Sequence, residues 1–160
     1  MPRHPLTAVL AAGSLAATID IVYACSFHYF HNAVAPLRIL QTIASGVLGT
    51  AAFDGGAAAG ALGLVLHYFI LIVAAAIWWI ASRRWRFLVD RAFVAGVAFG
   101  VGIWLTMNFV VLPLSAAPPF RLSWSVGSVS NALVHFLVLG PVVALTLRRA
   151  LRAPVPDEMR

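Results

Sequence analysis

The chain has 160 residues, of which 62% are hydrophobic and only 10% charged, with a formal net charge of +6 and a pI near 11.1. That composition cannot coat a globular surface in water, and the length leaves no room for a separate soluble domain beside one compact unit. All eleven basic residues are arginines. No soluble segment presents the extended basic face with base-reading groups that nucleic acid requires, so nucleic acid is excluded as a partner.

Four apolar runs, at 6–30, 57–81, 92–114 and 126–147, dominate the chain. At about 1.5 Å rise per residue, each run spans a hydrocarbon core of roughly 30 Å with some tilt. Lipid admits only helices or closed barrels, and unbroken apolar runs lack the alternation of a barrel strand. The expected fold is an all-α membrane protein with four transmembrane helices in a compact bundle. One membrane domain covers 1–152, and the acidic tail at 153–160 is expected to be disordered.

The first run follows Arg3 and resembles a secretory signal, but it is too long and no clear cleavage site follows. Gly13, Ala17, Asp20, Ala24, His28 and His31 recur at steps of three and four, which places them on one helical face. A charge near the bilayer centre costs about 2.5–3.5 kcal/mol, so Asp20 is expected to point into the bundle. Cys25, His28 and His31 form a Cys-x-x-His-x-x-His string with soft and borderline ligands for copper or zinc. The third residue swings round the helix, so convergence of all three requires unwinding. Cys25 is the single cysteine, which rules out an intrachain disulfide.

The connection at 31–56 contains a further helix starting near Pro36. Arg38, Gln41, Thr42 and Ser45 fall at i, i+3, i+4 and i+7, a narrow polar stripe. The stripe predicts an amphipathic element, either interfacial or re-entrant as a lid, with Arg38, Gln41 and Asp54 as its lid or interface residues. The second span opens at Asp54-Gly55-Gly56, with an acid where a helix N-terminus favours one. Gly56, Gly60, Gly63 and His67 share a face beginning with a GxxxG pair, and Trp78, Trp79 and Trp85 suggest an interfacial belt.

The third span carries a second GxxxG pair, Gly96 and Gly100, with Asn108 turned away from it, and it stops at Pro113. The fourth has Ser128, Asn131 and His135 on one stripe, and Pro141 is expected to bend it. Arg3, Arg83, Arg84, Arg86, Arg91, Arg148, Arg149, Arg152 and Arg160 lie on one side of the spans, against Arg38 and Arg121 on the other. The positive-inside rule then makes both termini and the middle loop cytoplasmic. The absence of lysine matches GC-rich bacterial coding and places the expected location in a bacterial inner membrane.

Counted from the outer end of each span, Asp20 and His67 lie about 15 Å deep and His135 about 13 Å. Asn108 and Asn131 lie about 8–9 Å deep, above that layer. A histidine beside a buried carboxylate can exchange protons near neutrality, so the leading expectation is a non-enzymatic protein that binds or relays protons or a small solute. Two alternatives stand: a redox subunit with haem held by His67 and His135 or a transition metal held by Cys25, His28 and His31, and a packing subunit of a homo-oligomer or larger complex. No nucleophile elbow, phosphate loop or His-Glu-x-x-His string is present.

Four strings, Asp20-Ile21-Val22-Tyr23-Ala24, Arg38-Ile39-Leu40-Gln41, Leu66-His67-Tyr68 and Met107-Asn108 leading to Leu112-Pro113, carry a resemblance to small bacterial four-helix inner-membrane proteins of the YagU-like family. The resemblance implies architecture, and through the family's association with acid tolerance it implies proton handling. It implies no catalytic residue.

Overall fold

The computed structural model describes residues 5–119 and 124–152. Arg3, Arg121, Arg160 and the tail at 153–160 lie outside the described residues. Among the described residues the chain is helical, with no strand, and four helices are long and apolar enough to cross a membrane. These four are α1 (Pro5–Asn32), α3 (Gly56–Arg84), α5 (Ala92–Leu114) and α6 (Val126–Arg152). Between them lie α2 (Pro36–Leu48) and the single turn α4 (Phe87–Asp90). The first, second and fourth spans extend a few residues beyond their apolar runs; Arg83 and Arg84 continue the second, and Arg152 the fourth, past the hydrophobic stretch.

Local chemistry sets the helix ends. Pro36 opens α2, where its missing N–H would have had no helical partner. Ser125 caps α6 by accepting from the Ser128 N–H at 3.2 Å. Asp54 precedes α3 but makes no side-chain cap to it; Gly55 is the cap residue, and Gly56 adopts a left-handed φ of 55°. Pro141 cannot donate to the helix ladder. Just before it, α6 widens into a π turn over His135–Leu139, closed by the Gly140 N–H on the His135 carbonyl. A matching wide turn, Met107–Val111, precedes Pro113 in α5. The bend expected at Pro141 is thus preceded by a register change that starts on a functional candidate.

Helix α1 is the hub. It packs against α3 on one side and α6 on the other, α5 packs on the far side of α6, and α2 lies against α3. In its most apolar stretch α1 is 44% buried, against 11% for α5, which identifies α5 as the peripheral span. Ala12, Ala16 and Ala17 are completely buried. A β carbon on Gly13 would stand 2.6 Å from the Cα of Ile72, so α1 and α3 touch backbone to backbone there.

The other glycine seams differ from the expected pairings. Gly60 and Gly63 receive α2 rather than a membrane span; Gly63 abuts the Leu40 carbonyl and Gly60 meets the Leu37 side chain. Gly56, the first half of the predicted GxxxG pair, has open space around it and takes no part. Gly96 and Gly100 pack α5 onto α6, against the backbone at Gly140, Pro141 and the His135 carbonyl. Trp78 and Trp79 are corrected from an interfacial belt to core residues, 3% and 7% exposed. They complete an apolar cluster with Val9, Leu71, Val143 and Leu147 that fills the arginine-rich half of the bundle. Trp85 alone of that group is exposed.

Gly100→Ala should lower stability by about 1–3 kcal/mol, because the new methyl group meets a carbonyl that cannot move without unwinding the π turn. Gly102→Ala, which has nothing within 4 Å, should leave stability unchanged or slightly raised. Thermal unfolding of both variants in detergent checks the contrast.

Candidate functional site

Three ionisable side chains meet where α1 lies between its neighbours. Asp20 on α1 is 8% exposed, His67 on α3 is 7% exposed and His135 on α6 is 8% exposed. Nε2 of His67 stands 3.7 Å from Asp20 Oδ2, too long for a hydrogen bond but within ion-pair distance. The same Nε2 donates to the Ala17 carbonyl at 3.1 Å. His135 lies within electrostatic range of Asp20. Its Nδ1 donates to the Asn131 carbonyl one turn earlier in α6, at 2.9 Å.

A carbonyl only accepts, so these two bonds place hydrogens on His67 Nε2 and His135 Nδ1. The second nitrogen of each ring, His67 Nδ1 and His135 Nε2, is not engaged by these two bonds. Asp20 is the unbalanced member. Its Oδ1 is fully buried and has no hydrogen-bond partner among the described residues, a costly state in apolar surroundings.

Above this layer, away from the arginine-rich end, a vestibule of about 480 Å³ opens between α1, α5 and α6. Its polar lining includes Asn108, Asn131, His28, His31 and Asn32, with Phe27 and Trp104 as aromatic walls. Trp104 Nε1 donates to Asn131 Oδ1 at 3.2 Å, and Asn108 Nδ2 donates to the Trp104 carbonyl at 2.8 Å. Nearby, Tyr23 donates to Ser130 Oγ at 2.7 Å, holding α1 to α6. Asn131 thus faces the vestibule with its side chain and holds His135 through its carbonyl.

The amides Asn108 and Asn131 come together with each other through Trp104, not with the Asp20 layer directly. Sequence reasoning missed Trp104, although its position four residues before Asn108 places both on one side of α5. The Cys25, His28 and His31 side chains are separately engaged. Asn32 Nδ2 donates to His28 Nδ1 at 2.8 Å, His31 stacks on Phe27 at 5.0 Å, and Cys25 is half-buried. Among the described residues no three His, Cys, Asp or Glu side chains gather closely enough to hold a metal ion. Bis-histidine ligation of a haem through its Nε2 would require His67 to leave the Ala17 carbonyl.

Helix α2 lies apart from the site. Gln41 and Ser45 turn inward, and Gln41 Nε2 donates to the Gly56 carbonyl at 3.2 Å. Arg38 turns outward and sits 3.8 Å above the Phe53 ring centroid, a cation–π contact. Asp54 is exposed. The far end of α2 is tied to the connection after α5 by the Ala116 N–H on the Gly46 carbonyl, 2.9 Å. The predicted single polar stripe is therefore divided between two faces, and no α2 residue lines the vestibule.

Comparison of the chain with protein-family models, curated proteins and solved structures returns no match. The functional reading rests on the geometry of the site.

In protein labelled with ¹⁵N-histidine, His135 Nδ1 should resonate as a protonated nitrogen at neutral pH. It should remain so in Asn131→Ala, which removes the amide but keeps the accepting carbonyl. An unprotonated Nδ1 would contradict the assigned bond.

Proposed function

We propose that this chain is a non-enzymatic bacterial inner-membrane protein that binds protons arriving from the outer side at its Asp20–His67–His135 layer. In this reading the arginine-rich end, with both termini and α4, is cytoplasmic, by the excess of arginine there. The observation that carries the reading is the buried Asp20 carboxyl, with Oδ1 lacking any partner among the described residues and His67 Nε2 at 3.7 Å. A proton bound by the carboxyl removes the buried charge, and His67 stands close enough to take part in its transfer.

The surroundings favour binding over passage across the membrane. Toward the vestibule the layer meets Asn131, amides and imidazoles that can order water. Toward the arginine-rich end it meets Ala12, Ala16, Leu71, Ala75 and Val143, packed without a polar group among them. These five side chains offer a proton no relay, so one reaching Asp20 returns the way it came. This reading narrows a proton relay to an outward-facing proton site, and it agrees with the acid-tolerance association of the YagU-like resemblance.

A second reading, that the bundle acts in an assembly, is favoured by α5. This helix is the least covered, and with α3 it borders an open apolar groove of about 420 Å³ lined by Phe69, Val73, Phe99 and Ile103. Crosslinking in native membranes separates the cases, since recovery of monomer alone contradicts assembly.

Difference infrared spectroscopy tests the proton site. A protonated-carboxyl band should appear as the pH is lowered on the unaltered protein, and the component due to Asp20 should be missing in Asp20→Asn. Proteoliposomes of both proteins should show the same, negligible proton flux. A carboxyl band left unchanged by Asp20→Asn excludes Asp20 as the proton site, and an Asp20-dependent flux shows passage rather than binding.

A further inference from the structure

The arginines of two separate segments are brought to one end of the bundle and tied there. Arg152 Nη2 donates to Asp90 Oδ1 at 2.9 Å, joining the last turn of α6 to α4. The turn α4 also packs against α3, α5 and the last segment of α6, and Leu88 rests on the apolar cluster beneath. Among the described residues Asp90 is the one carboxylate in this region, and Arg152 occupies it. Arg83, Arg84, Arg86, Arg91, Arg148 and Arg149 have no ion-pair partner among the described residues. Between them Trp85 is 53% exposed and Phe87 is 58% exposed.

Orientation in the membrane requires only an excess of positive charge. It does not require that the two runs be held together, nor that guanidiniums alternate with exposed aromatic rings on one structured turn. Six unpaired guanidiniums at one end of a small bundle repel one another and need fixed counter-charge. Guanidinium forks match phosphate oxygens in paired hydrogen bonds. Tryptophan and phenylalanine at that height fit the boundary between headgroup and acyl chain. A soluble anion would gain nothing from the two rings.

We propose that this end, from α4 to the last turn of α6, is a binding surface for the headgroup phosphates of anionic phospholipids. The guanidiniums hold the phosphates while Trp85 and Phe87 lie against the upper acyl chains. The surface is independent of the Asp20 site.

The test uses the full-length protein in detergent, with phosphatidylglycerol, phosphatidylcholine or inorganic phosphate added. Native mass spectrometry counts retained lipid, and thermal unfolding reports stabilisation. Phosphatidylglycerol should be retained and should raise the unfolding temperature, with the effect fading as salt rises. Phosphatidylcholine and inorganic phosphate should do neither. The triple variant R84Q/R86Q/R149Q should lose at least about fivefold in phosphatidylglycerol retention, while R38Q at the opposite end retains it. If the triple variant fails to fold, the lipid comparison and salt titration on the unaltered protein still decide. Equal retention of the two lipids, retention unaffected by salt, or unchanged binding by a folded triple variant overturns the proposal. An effect of inorganic phosphate as large as that of phosphatidylglycerol assigns a soluble anion instead and equally overturns it.

Discussion

A carboxyl group in the middle of an apolar helix has to be surrounded by protein, and that requirement determines which helix is central. Asp20 lies on α1, which packs against α3 and against α6. The enclosure depends on small residues: Ala12, Ala16 and Ala17 lose all exposure, and Gly13 admits the backbone of α3. With larger side chains there, α3 and α6 would stand further off, His67 would leave Asp20, and the carboxyl group would face lipid or an empty gap. Close backbone approach and the buried polar layer are therefore one arrangement.

The same constraint divides the bundle into two halves of different chemistry. Below Asp20 the packing is mainly apolar, built from alanines, leucines, valines and the buried pair Trp78 and Trp79, with Ser82 buried beyond them. Above it the helices separate enough for a vestibule lined by amides and imidazoles. The π turn at His135–Leu139 lies at this boundary. It begins on His135, is closed by Gly140, and is pressed against Gly100, so the side chain at 135 is set by a backbone register that three neighbouring small or cyclic residues enforce. A bound proton would change charge at the level where the polar-lined and apolar halves meet.

Much of the architecture was legible in the sequence because membrane helices advertise themselves by length and apolarity. The third apolar run, 92–114, coincides with the helix Ala92–Leu114, and Asp20 and His67, which counting along regular helices put at one level, stand 3.7 Å apart. Other features depended on which helix meets which. Gly60 and Gly63 signalled close packing but could not name α2 as the partner, since a glycine records the approach of a backbone and not its source. Trp78 and Trp79 carried the composition of an interfacial belt, and only the inward turn of α3 at that height makes them core. The polar stripe of α2 was real in sequence, yet Gln41 and Ser45 face α3 while Arg38 reaches Phe53, because packing on one helix selects half of a stripe. Trp104 escaped notice because an indole in an apolar run reads as lipid-facing until its N–H has a partner.

The account depends most on the proximity of one carboxyl group and one imidazole across two helices. Solid-state NMR of lipid-reconstituted protein, with labelled aspartate carboxyl carbons and histidine nitrogens, measures it directly. The account predicts a through-space coupling between the Asp20 carboxyl carbon and His67 Nε2, consistent with the 3.7 Å approach of Oδ2, and its loss in Asp20→Asn prepared without the label at position 20. Absence of that coupling in well-ordered samples, with Asp20 coupled to no histidine, would contradict it.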